Sequence, residues 1–525
     1  MITKKYRDLL TSEKSFRWVL VILVGISLIP RLINLDQSLL DIQPFRQTQT
    51  AMTVWMFLKE GVDLFNYQTP IFGPPFYAPF EFPLYQYSAY LIYRLGFTDI
   101  EVAARITTIV FYVLTCWMLI KLTYLIFNSK KITFFALLHF CFMPFSMNWS
   151  RAVTIEYCAL FFCLLMLYYF IRLRSSNSLK FLHFFFGALL ACLAYSIKLT
   201  TAYPYVIIVL FLLFSDLIGQ LKSMDKTSSL FRYFQEFWPL ITKGILFIIL
   251  PFFVMYLWVR HTDLLKMESA FSYVTTSSSL KDWNFGTWDD KLSWNNWMVI
   301  FNRINNSLLP FVLAIPLIVY FTRESGQHFR KYVFLLLLLP LVTIATFFNL
   351  YYQHDYYLAA LMPFFSILFA LSILAFVEFL WVPFFRKNYK IYTIFMAAGL
   401  VLVFYTFVND DSNNEYYRYL NSTNQQSDYE QYVLGQAIAK TTKPDELVIV
   451  TDFEWSSEVL YSAKRKGLMW TAGNELEINR FRSDLHKTPY ACIVSRNPDR
   501  YPKLLSEFSV KQKFKRGPFY FFMLN

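Results

Sequence analysis

Charge is scarce in this chain. Of 525 residues only 16% are Asp, Glu, Lys or Arg, while 56% are hydrophobic and 20% aromatic. A soluble protein of this length carries more charge, so a single soluble globular fold is excluded. Glycine is scarce too, at 14 residues. That leaves few positions for the broken helices of inverted-repeat transporters, and no internal repeat is visible. The six cysteines form no CxxC and no His/Cys cluster. Cys116, Cys141, Cys158, Cys163 and Cys192 fall in or beside apolar stretches and Cys492 stands alone, so neither a zinc site nor a disulfide framework is indicated. A Gly-rich phosphate loop is missing from the C-terminal region, which argues against catalysis there. The N-terminal MITKKYRDLLTSEKSFR lacks the small-residue pattern of a cleaved signal, so the first apolar span is expected to be retained.

What the chain has in abundance is apolar runs long enough to cross a bilayer. They predict an α-helical polytopic membrane protein with about eleven transmembrane helices. The spans are expected near 17–35, 103–127, 132–147, 155–172, 181–197, 200–218, 239–259, 298–321, 332–349, 357–382 and 391–408. The formal net charge of +13 is carried by short loops between spans, which fits the positive-inside rule rather than a nucleic-acid partner. Lys4, Lys5 and Arg7, then Lys130 and Lys131, Arg172 and Arg174, Lys222 and Lys226, Arg323 and Arg330, and Arg386 and Lys387 mark one face as cytoplasmic. An odd number of spans then puts the C-terminus outside. The outer face receives an opening loop (about 36–102), the turn from Asn148 to Glu156, loop 260–297, the turn 349–357, and Lys198.

Two units follow: a membrane region over 1–408 and a small extracytoplasmic α/β domain over 409–525. The second is read from a polar entry segment (409–428), helices at 428–440, 456–465 and 475–486, and strands at 446–452, 468–470, 490–495 and the closing FYFFMLN. In the opening loop, Arg46 to Glu60 reads as an amphipathic helix ending at Gly61 and lying in the membrane interface. A proline- and aromatic-rich stretch follows, and Phe82 to Leu95 reads as a second amphipathic helix.

The densest polar patch is Leu39 to Gln86, with Asp41, Arg46, Gln47, Gln49 and Glu81. An acid just past the first span, then FRQTQTA, then EFPLYQ, resembles the GT-C glycosyltransferases. These are membrane enzymes that use polyprenyl-phosphate sugars and include the protein O-mannosyltransferases and the aminoarabinose transferase of lipid A. The likeness continues through SRAVTIEY (150–157), SIKLTTAYPY (196–205) and QHDYYLAALMP (353–363), and is strongest to bacterial family-39-type transferases.

Such a reaction needs a base for the acceptor and cations for the departing phosphate, which leaves as a stabilised anion without a general acid. One carboxylate with Arg or Lys suffices, unlike the two opposed carboxylates of glycoside hydrolases. The resemblance implies Asp41 as the base, with Glu81 and Glu156 as further acids of the cavity. Capping a turn is the rival role for Asp41, and pairing with Arg151 the rival role for Glu156. Arg46, Gln47, Lys198, Arg260, His354, Tyr356 and Tyr357, with Arg303, are the candidates for binding substrate and phosphate. An interfacial surface arginine is the alternative for Arg46, snorkelling for Lys198, and an aromatic belt for the tyrosines.

Where the aminoarabinose transferase carries lysine after the loop's second acid, this chain has Phe82. Lys198 is the natural substitute. A divalent cation at Asp41 with Glu81 or Glu156 stays open, since the family contains enzymes with and without one; no other cofactor is implied. The partners implied are a polyprenyl-phosphate-linked sugar, membrane lipid, and a lipid, glycan or protein acceptor, in the plasma (inner) membrane. The rival readings are a lipid-linked oligosaccharide polymerase or ligase, and a transporter or flippase of lipid-linked sugars.

Overall fold

The computed structural model describes residues 12–97, 99–174, 181–223, 230–269, 271–313, 315, 317, 327–377, 416–420 and 425–525. Helices dominate up to residue 377. They are α1 (Glu13–Arg31), α2 (Pro44–Glu60), α3 (Leu84–Arg94), α4 (Ile100–Phe127), α5 (Lys130–Phe142), α6 (Pro144–Trp149), α7 (Glu156–Arg174), α8 (Phe181–Ile197) and α9 (Leu199–Ser223). Next, α10 (Leu230–Gly244) runs through a π turn into α11 (Leu250–Met267), followed by the short α12 (Lys281–Phe285) and α13 (Trp288–Leu292). The longer α14 (Trp294–Ser307), α15 (Gln327–Thr346), α16 (Phe348–Gln353) and α17 (Met362–Ala375) complete this region.

Five stretches are long and apolar enough to cross a membrane: Ile100–Phe127, Glu156–Arg174, Leu199–Ser223, Glu236–Met267 and Asp355–Ala375. Two shorter apolar helices, Leu182–Ile197 and Tyr332–Thr346, join them. The expected span 391–408 and the boundary at 408/409 lie outside the described residues, as do parts of 298–321 and 357–382. Helix starts follow local chemistry. The Asp99 side chain caps α4 by accepting from the amides of Glu101 and Val102, and Ser129 caps α5 through the amide of Ile132.

The C-terminal part folds as expected in kind. It contains α18 (Glu430–Thr441), β1 (Leu447–Thr451), α19 (Glu458–Ala463), β2 (Gly467–Trp470), α20 (Ala472–Leu476), α21 (Ile478–Lys487), β3 (Tyr490–Ser495), α22 (Pro502–Ser506), β4 (Val510–Arg516) and β5 (Phe519–Leu524). The sheet order is β2-β1-β3-β5-β4. The first three strands are parallel, and β5 runs antiparallel to both its neighbours. Strand β4 was not expected from sequence. Its VKQKFKR is exposed at nearly every position, an edge strand protected by lysines rather than marked by apolar alternation.

At the other edge, the opening loop extends the sheet. Phe72 bridges Leu468 in antiparallel fashion. The amides of Gly467 and Met469 donate to the carbonyls of Pro70 (3.1 Å) and Ile71 (2.8 Å), and the Gly73 amide donates to Gly467 O (3.0 Å). A β-carbon on Gly467 would come within 2.1 Å of Val448 O, so only glycine fits between β1 and the added segment.

Helix α2 begins with Pro44 after a left-handed Gln43 (φ 47°) and stops at Gly61 (φ 94°). Its expected place on the membrane surface is corrected by the structure. Gln47, Thr48, Gln49, Thr50 and Thr53 are all buried, because protein encloses the helix on several sides. Thr48 shares a hydrogen bond with Ser457 (2.8 Å), and Phe45 meets Trp455 edge-on at 4.8 Å.

Candidate active site

Three arginines set the path of the chain as it leaves α1. Arg31 is fully buried and donates to Ser150 Oγ (2.5 Å), Ser27 O (2.6 Å) and Cys141 O (2.8 Å). Arg105 donates to the carbonyls of Leu35, Gln37 and Ser38, and Arg151 to those of Ile33 (2.8 Å) and Asn34 (2.6 Å). These guanidiniums satisfy backbone carbonyls that would otherwise be buried without partners. The segment they hold delivers Asp41.

Asp41 is half-buried. Its Oδ1 accepts from the Ile42 amide (2.7 Å) and from Gln47 Nε2 (3.1 Å). It forms no ion pair among the described residues. Gln47 is a strut: its Nε2 also donates to Ile42 O (2.6 Å), and its Oε1 accepts from the Val153 amide (3.0 Å). Thus Gln47 ties the Asp41 turn to the approach of α7, and both ends of its amide are engaged.

The preceding residue on α2 points elsewhere. Arg46 pairs with Glu81 and donates from Nη1 to Gln49 Oε1 at 2.8 Å. Burial disfavours both charges of the pair, but their attraction outweighs it. Arg46 is raised above the ordinary arginine value, and Glu81, facing Arg46 and then Lys198, is lowered.

Glu156 opens α7 and pairs with Lys198, not with Arg151; the side chains are 0% and 4% exposed. Lys198 therefore does not snorkel. Its ammonium also sits 4.4 Å from the Tyr357 ring and 5.1 Å from the Tyr356 ring. Those tyrosines lie at 4.6 Å from one another, and His354 stacks on Tyr356 at 5.1 Å. Burial, then Arg46, Lys198 and Arg303, push the His354 imidazole down to about 4. Five segments far apart in sequence thus meet at one end of the bundle.

Two expected ligands are placed otherwise. Arg260 is exposed on α11 and makes no hydrogen bond or ion pair with the cluster. Arg303 donates to the carbonyls of Tyr351 (3.0 Å) and Tyr352 (2.7 Å), which fixes the turn before His354. A cation that sequence reading missed is Lys266. It is buried, with its ammonium 4.7 Å from the ring of Phe80, next to Glu81. The span was expected to end at 259, whereas α11 continues to Met267. That extension puts residue 266 on a different face from residue 260, since six residues make about 600° of turn. Phe82 packs edge-on against Trp258 at 5.3 Å, so the position after the second acid faces an aromatic cluster.

Around Glu81 and Glu156 the cluster gathers the cations Arg46, Lys198 and Lys266, the last of which also faces Asp263. Three buried cations drawn together from separate segments suit an anion. A divalent cation does not fit at Glu81 or Glu156, because each already has a cation as its partner. Among the described residues no group of three His, Cys, Asp or Glu could hold a metal ion.

Residues 78–231 match the family model described as dolichyl-phosphate-mannose-protein mannosyltransferase. The whole architecture aligns with ArnT from Cupriavidus metallidurans bound to undecaprenyl phosphate, at TM-score 0.57 and 13% identity, over 97% of both chains. The chain has the GT-C fold. A further GT-C match is the oligosaccharyltransferase AglB from Archaeoglobus fulgidus, in complex with an inhibitory peptide and a dolichol-phosphate. That match has TM-score 0.52 and 11% identity, and covers 92% of this chain and 70% of AglB. No curated protein matches this GT-C chain by sequence.

Proposed function

We propose that this GT-C protein is a membrane glycosyltransferase. It moves a sugar from a polyprenyl phosphate, such as undecaprenyl phosphate, to a lipid, glycan or protein acceptor at the extracytoplasmic face. The observation that carries this reading is the convergence of the buried cations Arg46, Lys198 and Lys266 at the end of the bundle where Asp41 also lies. In the reaction, Asp41 takes the proton of the acceptor hydroxyl or amine. The acceptor atom bonds to the anomeric carbon while the bond from that carbon to the phosphate oxygen breaks, and its electron pair leaves with the phosphate. Arg46, Lys198 and Lys266 stabilise the charge that builds there. Donors of this kind contribute about 2.7–4 kcal/mol each to a transition state.

Asp41 is preferred over Glu81 and Glu156 as the base because it is the acid of the three without an ion pair, and a paired carboxylate is the weaker base. Tyr356 and Tyr357 flank Lys198 and form an aromatic wall for the sugar. The C-terminal domain, hydrogen-bonded to the opening loop and stacked on α2, holds Arg46 in place. Purified protein incubated with labelled undecaprenyl-phosphate sugars and a panel of acceptors tests the proposal. Release of undecaprenyl phosphate with labelled acceptor is expected. Movement of intact lipid-linked sugar across vesicles, without bond cleavage, would overturn it in favour of a flippase.

A further inference from the structure

Between α2 and the segment from Tyr67 to Gln86 lies a small, partly open polar pocket of about 10 Å³, room for one water-sized group. Thr50, Thr53, Gln49 and Gln86 contribute hydroxyls and amides, and the Arg46–Glu81 pair closes one side. Gln49 and Gln86 are each only 5% exposed. The hydrogen bond from Arg46 fixes Gln49 Oε1, which turns the amide's NH2 end the other way. That Nε2 is buried without a partner, and so is Oε1 of Gln86.

One orphaned donor and one orphaned acceptor therefore belong to two side chains that line a space the size of a single oxygen. Buried polar groups are normally satisfied, so the pair marks a position where something completes them. A hydroxyl is suited to the task, because it donates one hydrogen bond and accepts others. A carboxylate would lack the proton for Gln86, and an ammonium would lack the lone pair for Gln49. The cavity adjoins Arg46, one of the three cations assigned above to the donor phosphate.

We propose that this pocket reads one hydroxyl of the transferred sugar, with Gln49 Nε2 donating to it and Gln86 Oε1 accepting from it. The proposal rests on the donor reading above and deepens it: the donor is a sugar with a free hydroxyl within reach of its phosphate. A site built to bond a substrate hydroxyl discriminates strongly against the analogue lacking it, because its own polar groups are then left unpaired.

The test measures binding of bare undecaprenyl phosphate beside undecaprenyl-phosphate glucose, mannose, galactose and aminoarabinose in nanodiscs. The full-length protein is compared with Gln86→Leu and, as a second variant, Thr53→Val. Wild type is expected to bind at least one glycolipid more tightly than the bare lipid. Gln86→Leu should reduce that preference roughly tenfold, with bare-lipid affinity within about twofold of wild type. Thr53→Val should reduce it in the same direction. If wild type binds all five lipids equally, or the variants keep the preference, the pocket holds only a structural water and the inference fails. If wild type binds none of the five, the donor reading itself falls.

Discussion

The Glu156–Lys198 pair offers the sharpest experiment, because its two possible roles predict different double variants. Both side chains are almost entirely withdrawn from solvent, at 0% and 4% exposure. Removing one partner of such a pair strands a charge in a poorly polar environment, at a cost of about 3–5 kcal/mol. Replacing both with apolar residues of similar volume is often close to neutral, because the desolvation penalty of each ion disappears with it. Lys198→Met and Glu156→Leu are therefore each expected to lose about 3–5 kcal/mol in equilibrium unfolding from mixed micelles. The double variant should return to within about 1 kcal/mol of wild type. Met keeps the contact with the Tyr357 ring but not the charge above it.

Activity then separates structure from chemistry. If Lys198 also stabilises the leaving phosphate, the double variant is folded yet transfers no sugar. If the pair is only a structural tie, the double variant recovers both stability and transfer. A double variant as unstable as the single ones would refute the pairing argument. So would a Lys198→Met protein of wild-type stability.

Three further outcomes follow from the site. Asp41→Asn should abolish transfer and leave insertion and donor binding intact; near-normal turnover by that variant removes Asp41 from the role of base. His354, held down to about 4 in the folded protein, should cost stability as pH falls from about 6.5 towards that value. In that window the unfolded chain takes up a proton that the folded imidazole refuses. Glu81 acts in the opposite sense to a raised group: its depressed value adds stability above about pH 4.3, lost as pH falls through the folded value. Unfolding scans should therefore show wild type losing stability relative to His354→Gln as pH falls through that window, and parallel curves would count against the burial of His354. Finally, Trp455→Ala should loosen α2, since it removes an edge-on contact with Phe45 and a tilted ring contact with Phe72. Pairs of this kind contribute about 0.5–1.5 kcal/mol each beyond area. Faster amide exchange in Phe45 to Thr50 is the expected signal, and unchanged exchange would show that the C-terminal domain does not brace the helix.

Much of this architecture was legible because membrane crossing imposes a plain rule on sequence: long apolar runs with charge between them. The α/β character of the C-terminal part was legible from the apolar run LVIVT and from YACIVS, both buried strands. The lysine-guarded β4 was not, because an edge strand facing solvent has no apolar period to detect. Within the site, the residue types of the cluster could be picked out, but their pairing could not. Glu156 is close in sequence to Arg151, and only the fold shows that it meets Lys198 instead. Gln47 and Arg46 are neighbours in sequence and diverge in space, because adjacent helical side chains point about 100° apart. Lys266 was hidden by a helix that outlasts its apolar stretch by two turns.

The strand-like segment Pro70–Gly73 has a consequence for how the protein is made. Its hydrogen-bonding partners, Gly467 and Met469, are encoded nearly 400 residues later. At about 5–20 residues per second, synthesis leaves that segment waiting roughly 20–80 s for its partner. Until then the loop bearing Arg46 and Glu81 is without the surface that braces it. Completion of the site is thus tied to completion of the chain, and a nascent or truncated protein inserts its helices before it can assemble the centre they carry.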